Sequence, residues 1–208
     1  MKETEVTFRS DELTLEGLLA NPGGGAPGAV VCHPHPIYGG SMYNNVVDAI
    51  LDALWQAGYA TLRFNFRGVG ASEGEHDGGP GEVDDAVAAA AFILSQSGVR
   101  KEGLVMAGYS FGAMVAVGAG YERAEVARII AVALPISMAD VRIPEPATKP
   151  ILLISGDVDS YSPASGVQAL KEKIGDSARV EIIAGADHFF GGREAKLSQI
   201  ISDALHNI

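Results

Sequence analysis

The chain has 208 residues, 47% hydrophobic and 20% charged, which is enough for one substantial core and short for two. Its formal net charge of −11 argues against a nucleic-acid partner, whose phosphates call for basic residues, and against anionic membrane surfaces. One cysteine, Cys32, rules out an intramolecular disulfide; it sits in the apolar run Ala29-Val30-Val31-Cys32 and reads as a buried structural thiol.

The start, Met1-Lys2-Glu3-Thr4-Glu5, is polar and acidic and has no apolar leader core. No apolar stretch approaches the length of a bilayer span. The expectation is a single domain over residues 1–208, cytoplasmic, with no membrane partner.

Val6 to Arg9 and Leu13 to Ala20 alternate apolar and polar around Ser10-Asp11-Glu12, the pattern of an antiparallel hairpin. Asn21 to Pro27 is a turn. Its Gly23-x-Gly25-x-x-Gly28 matches a dinucleotide-binding pattern by letter but precedes a strand and opens no helix, so that reading is rejected. Ala29 to Cys32 is a short apolar run suited to a strand buried on both faces. After a loop from His33 to Ser41, Val46, Val47, Ile50, Leu51, Leu54 and Trp55 recur at helical spacing until Gly58.

Tyr59 to Phe66 is the fourth strand. A Gly-rich loop, Arg67 to Gly81, leads to a helix over Glu82 to Leu94 with acidic residues in its first turn. Then come strands at Leu104 to Ala107 and Ile129 to Leu134 around a helix at Phe111 to Ala119. A strand at Ile151 to Ser155, a helix from Pro163 to Ile174, a strand at Val180 to Ile183 and a helix from Glu194 to His206 follow. Alternating strands and helices after a hairpin predict an α/β fold: a mostly parallel sheet of about eight strands with helices on both faces.

Between the strand at Leu104 and the helix at Phe111 lies Gly108-Tyr109-Ser110-Phe111-Gly112. A serine at the apex of a strand–turn–helix, with glycines two residues to each side, has the geometry of an exposed nucleophile. A serine nucleophile needs a base to take its proton and a carboxylate to orient that base. In an open parallel sheet both must come from the carboxyl ends of strands. One strand ends in Gly156-Asp157-Val158-Asp159 and the last in Asp187-His188-Phe189-Phe190. His188 is the candidate base. Asp157 and Asp159 compete as the acid, and either could instead be a turn former. The chain order Ser, Asp, His differs from that of the chymotrypsin and subtilisin triads.

These motifs resemble the α/β-hydrolase superfamily over nearly the whole chain. The likeness rests on Gly-Tyr-Ser-Phe-Gly, on Asp-His-Phe-Phe, and on Arg67-Gly68-Val69-Gly70-Ala71-Ser72 after the fourth strand. His33-Pro34-His35-Pro36-Ile37-Tyr38-Gly39-Gly40 is similar to a subgroup of small bacterial serine hydrolases. Dienelactone hydrolases are similar in size but carry Cys where this chain has Ser110. The resemblance implies Ser110, Asp159 and His188 as catalytic residues, Asp159 because Gly156 and Pro163 flank it at the family's spacing. It also implies an oxyanion hole from the amide of Phe111 and a donor from the His33 loop. Pro34 and Pro36 have no N–H. The amide of His35 is the first choice and Tyr38, by amide or hydroxyl, the second.

His33 and His35 are too few and too close for a persuasive metal site, and no cofactor is expected. Arg67 to Gly74 lacks the Lys of a phosphate-binding loop, and Arg67 is expected in a structural hydrogen bond. Pro135 to Pro150 is too short for a cap domain, so the site should be open, with at most Ile136, Met138 and Val141 over it. The expected activity is a serine carboxylesterase acting on short-chain or small soluble esters through an acyl-enzyme. Alternatives are an acyl-thioesterase drawing on Arg67, Arg142 and Lys149, a peptidase, or a non-catalytic binding protein. The expected oligomeric state is a monomer or a homodimer.

Overall fold

The computed structural model describes residues 1–138, 141, 143–144 and 147–206. Two strands, β1 (Thr4–Ser10) and β2 (Leu13–Ala20), form the expected hairpin, in register from Thr4 opposite Leu19 to Ser10 opposite Leu13. They are followed by β3 (Gly28–Cys32), α1 (Asn45–Gln56), β4 (Ala60–Phe64), α2 (Pro80–Ser95), β5 (Leu104–Tyr109) and α3 (Phe111–Glu122). The chain continues with β6 (Val126–Val132), β7 (Ile151–Gly156), α4 (Ala164–Ile174), β8 (Ala178–Ile183) and α5 (Glu194–His206).

The eight strands form one sheet in the order β1-β2-β4-β3-β5-β6-β7-β8. Pairs β1–β2 and β2–β4 are antiparallel and the rest parallel. Every residue of β3, β4, β5 and β7 is buried, because helices cover both faces. Val46, Ile50 and Leu54 of α1 share a core with Leu197 and Ile201 of α5. Ala86 and Ile93 of α2, Val117 of α3 and Val167 of α4 build the core on the other face.

The hairpin and α5 fall where the residue pattern puts them. Other boundaries move for identifiable reasons. Gly108 and Tyr109 belong to β5, because pairing with Ala131 and Val132 of β6 carries the strand up to the serine. β6 runs from Val126 to Val132, and Ala133 leaves it with φ +48°. α2 starts at Pro80, whose missing N–H costs nothing in a helix's first turn. The His33 loop contains one 3₁₀ turn, Pro36–Tyr38.

Between β6 and β7 the described residues form turns and irregular chain. Of the three side chains expected over the site, Ile136 packs against Gly166 of α4. Val141 joins the same core, and Met138 is exposed. Arg142 lies outside the described residues.

Candidate active site

Gly108 and Gly112 are required by contact. A Cβ on Gly108 would lie 2.1 Å from the Gly112 carbonyl oxygen, and one on Gly112 would lie 2.3 Å from that of Cys32. The turn is therefore closed on itself and pressed against the end of β3. Ser110 at its apex has φ +55° and ψ −120°, a strained conformation for a residue with a side chain. Its N–H donates to the Val132 carbonyl at 2.9 Å, which pins the strained residue to the end of β6.

The loops after β7 and β8 are stapled together. A Cβ on Gly156 would meet the Ala186 carbonyl at 2.0 Å. The Val158 N–H donates to that same carbonyl at 3.2 Å, and the Gly185 N–H donates to Asp157 Oδ1 at 2.7 Å. This brings His188 and Asp159 to the serine. Ser110 Oγ is 2.9 Å from His188 Nε2, and His188 Nδ1 is 2.9 Å from Asp159 Oδ2. The other carboxylate oxygen of Asp159 accepts from the N–H groups of Tyr161 and Ser162, both at 2.9 Å.

Burial pushes the Asp159 carboxyl up, but the hydrogen bond from His188, those from Ser162 and Tyr161, and the nearby imidazole charge outweigh it. The net direction is down, which keeps the carboxylate ionised. An ionised Asp159 holds the proton of His188 on Nδ1 and leaves Nε2 a lone pair aimed at the Ser110 hydroxyl. Of the two competing aspartates, then, Asp159 faces the histidine and Asp157 holds the loops together.

Phe111 opens α3, where a backbone N–H has no partner within the helix. The rings of His35 and Phe111 are 4.7 Å apart, so the expected donor residues are neighbours. The His35 carbonyl accepts from Tyr38 N–H and Gly40 N–H, both at 3.1 Å. The Tyr38 amide is thus already engaged, which removes it as an oxyanion donor. Its side chain is largely exposed and packs edge-on against His35.

The remaining candidates are accounted for by their partners. His33 is fully buried; its Nδ1 donates to the Pro34 carbonyl at 2.7 Å and its Nε2 accepts from Phe66 N–H at 3.1 Å. Neither nitrogen is left for a ligand, and burial lowers its pKa to about 4. Among the described residues, no group of three or more His, Cys, Asp or Glu could hold a metal. Cys32 is buried and its thiol pushed well above the usual range, chiefly by desolvation.

Arg67 is gripped by the fully buried Asp85, with Nη2 at 2.8 Å and Nε at 3.1 Å. Lys149 donates to the carbonyls of Gly120 and Arg123. The basic patch that a coenzyme A thioester would need is therefore not assembled from these two.

Three features of the site are not apparent in the residue pattern. The Tyr109 hydroxyl donates to the His188 carbonyl at 2.9 Å. The Tyr161 ring lies 4.8 Å from the His188 ring. Glu82, read as a first-turn acid of a helix, is fully buried and accepts from His76 Nδ1, Asp77 N–H and Gly79 N–H. A Glu three residues after the residue that caps the helix, Gly79, is the one visible signal for that last role.

Residues 30–206 match the family model described as an alpha/beta hydrolase domain. The chain belongs to the α/β-hydrolase family. An uncharacterised protein of Rickettsia prowazekii (strain Madrid E) is 36% identical over 98% of this chain and 89% of its own length. An alpha-beta serine hydrolase homologue from Coxiella burnetii superposes with a TM-score of 0.86 at 33% identity, covering 99% of this chain and 98% of that one. A serine hydrolase without lid from Xanthomonas campestris gives 0.87 at 30% identity, with 99% and 94% covered. This α/β-hydrolase thus shares its small single-sheet architecture with these structures, and among its described residues no cap domain is evident. Among the described residues no helix is long and apolar enough to cross a membrane.

Proposed function

We propose that this α/β-hydrolase is a serine carboxylesterase acting on short-chain or small soluble carboxylic esters. The observation that carries the reading is the pair of 2.9 Å contacts running from Ser110 Oγ through His188 to Asp159. Ser110 Oγ attacks the ester carbonyl carbon as its proton passes to His188 Nε2. The carbonyl oxygen becomes an oxyanion, held by the amides of Phe111 and His35. Collapse breaks the bond to the alcohol, which leaves with the proton from His188. Water then attacks the acyl-enzyme and gives a proton to the same nitrogen; collapse releases the acid and returns the proton to Ser110.

Each oxyanion donor contributes about a hundred- to a thousand-fold to turnover in such sites. A small, soluble substrate fits a site over which the described residues place no cap to supply apolar wall for a long acyl chain. The engaged state of Arg67 and Lys149 favours an oxygen ester over a coenzyme A thioester.

The test is hydrolysis of a short nitrophenyl ester by the protein and by Ser110→Ala, with fluorophosphonate labelling read by mass spectrometry. A loss of about a millionfold is expected for a triad that works as a unit, together with labelling at Ser110. Undiminished turnover in Ser110→Ala overturns the assignment, and absence of labelling favours a binding protein on this fold.

A further inference from the structure

In the reaction proposed above, His188 must hand its proton to the departing alcohol. The alcohol portion of the ester therefore lies beside the His188 imidazole, and the groups flanking that ring form its binding site. Three of these are aromatic; Tyr109, 5.5 Å away, is buried, and the other two are exposed. The Tyr161 ring centroid is 4.8 Å from that of His188 and the Phe189 ring centroid is 5.7 Å away. Both side chains face solvent, Tyr161 at 40% and Phe189 at 63% exposure.

Their backbones are held while their rings stand out. Tyr161 N–H donates to Asp159 Oδ1 and its carbonyl accepts from Ser137 Oγ. Phe189 N–H donates to Asp187 Oδ1 at 3.0 Å and its carbonyl accepts from Asn45 Nδ2 at 3.3 Å. The fold thus leaves a large part of two aromatic rings in water, Phe189 more than Tyr161, at an energetic cost. Val158, 63% exposed, sits on the same turn as Tyr161. The carboxylates of these loops are turned to other uses: Asp159 accepts from His188, Asp157 from Gly185 and Asp187 from Phe189. The exposed rings beside His188 are thus Tyr161 and Phe189, with the Asp187 carboxylate tied to the Phe189 N–H.

The geometry points to Tyr161 and Phe189 as a clamp that selects esters whose alcohol portion carries an aromatic ring. Both rings already lie within aromatic contact distance of the imidazole, and a third ring on the leaving group extends that cluster instead of breaking it. Acyl groups lie on the Ser110 side and are not selected by this pair. The inference rests on the esterase reading.

The experiment keeps the acyl group constant and varies the alcohol, comparing kcat/KM for 2-phenylethyl acetate and butyl acetate. The two alcohols are similar leaving groups chemically, so the ratio reports recognition. The protein should prefer the phenylethyl ester by about tenfold. Phe189→Ser and Tyr161→Ser should each bring the ratio toward one, while Phe189→Tyr and Tyr161→Phe keep it. Fluorophosphonate titration of Ser110 in each variant counts folded, competent sites.

A ratio near one in the unaltered protein, or one that survives both serine variants, overturns the clamp. So does a shift from dimer to monomer in those variants, by sedimentation, with the ratio unchanged, since the rings then serve an interface between copies. Failure of the esterase reading itself shows separately, as turnover that persists in Ser110→Ala.

Discussion

The hydroxyl of Tyr109 donates to the main-chain carbonyl of His188 at 2.9 Å, so the residue before the serine holds the residue that faces it. Burial, with the charges of Asp159 and Asp187, pushes the phenol well above its usual range, so it stays a donor. Tyr109→Phe leaves a carbonyl without its partner and lets the histidine loop shift. The expected result is a loss of about 1 kcal/mol in urea unfolding. With it, kcat falls about tenfold while KM stays within about twofold, because position and not substrate affinity is lost.

Asp159 and Asp157 should separate cleanly. In Asp159→Asn one side-chain oxygen still accepts from Tyr161 and Ser162, so folding is retained. The amide then faces His188 Nδ1 as a donor and favours the wrong tautomer. Turnover is expected to fall by about four orders of magnitude. In Asp157→Asn the oxygen still accepts from Gly185, and turnover should stay within about threefold. Ester hydrolysis, with circular dichroism as the check on folding, measures both.

The glycines of the serine turn should be intolerant for reasons of space. Gly108→Ala places a methyl 2.1 Å from a backbone oxygen that cannot move without breaking the turn. A destabilisation of about 3 kcal/mol is expected in chemical unfolding. Gly191→Ala is the control: no atom lies within 4 Å of the added Cβ, and the change should be within about 0.5 kcal/mol.

His33 makes stability depend on pH. Its pKa falls from 6.5 to about 4 on folding, because burial penalises the imidazolium. Between those values the unfolded chain binds the extra proton, so stability rises with pH across the window. The contribution is intact above 6.5 and lost progressively as the pH falls toward 4, amounting to about 3 kcal/mol. Urea midpoints at pH 7.5 and pH 4.5 check the sign. Replacing His33 with Gln should remove much of the difference.

The fold was legible because its evidence is local. Apolar runs such as Val30-Val31-Cys32 and the helical spacing of Val46, Ile50 and Leu54 state burial on two faces or on one. Ser110 was legible because the strained turn demands glycine at fixed offsets, and Gly108 and Gly112 are its imprint. Boundaries were less so. The end of β5 is set by hydrogen bonds to β6, residues distant in the chain, and nothing in Gly108-Tyr109 alone announces them.

The choice between Asp157 and Asp159 could be made from family spacing but not from the residues themselves. Two aspartates on one turn differ only in which way the turn carries them, and the 2.7 Å bond from Gly185 and the 2.9 Å contact with His188 settle their separate partners. The apolar character of Ile136 fits a cover and a core equally; α4 supplies a surface it packs on.

The sequence by itself determined the layered α/β architecture, the serine at the apex of its turn and the chain order Ser110, Asp159, His188, since periodicity, turn chemistry and spacing are written in neighbours. Only the tertiary structure decided which carboxylate faces His188, that Tyr109 anchors it, and that Tyr161 and Phe189 stand open beside it. Those relationships depend on distances between residues up to 79 positions apart, and such distances exist only once the sheet has brought its strand ends together.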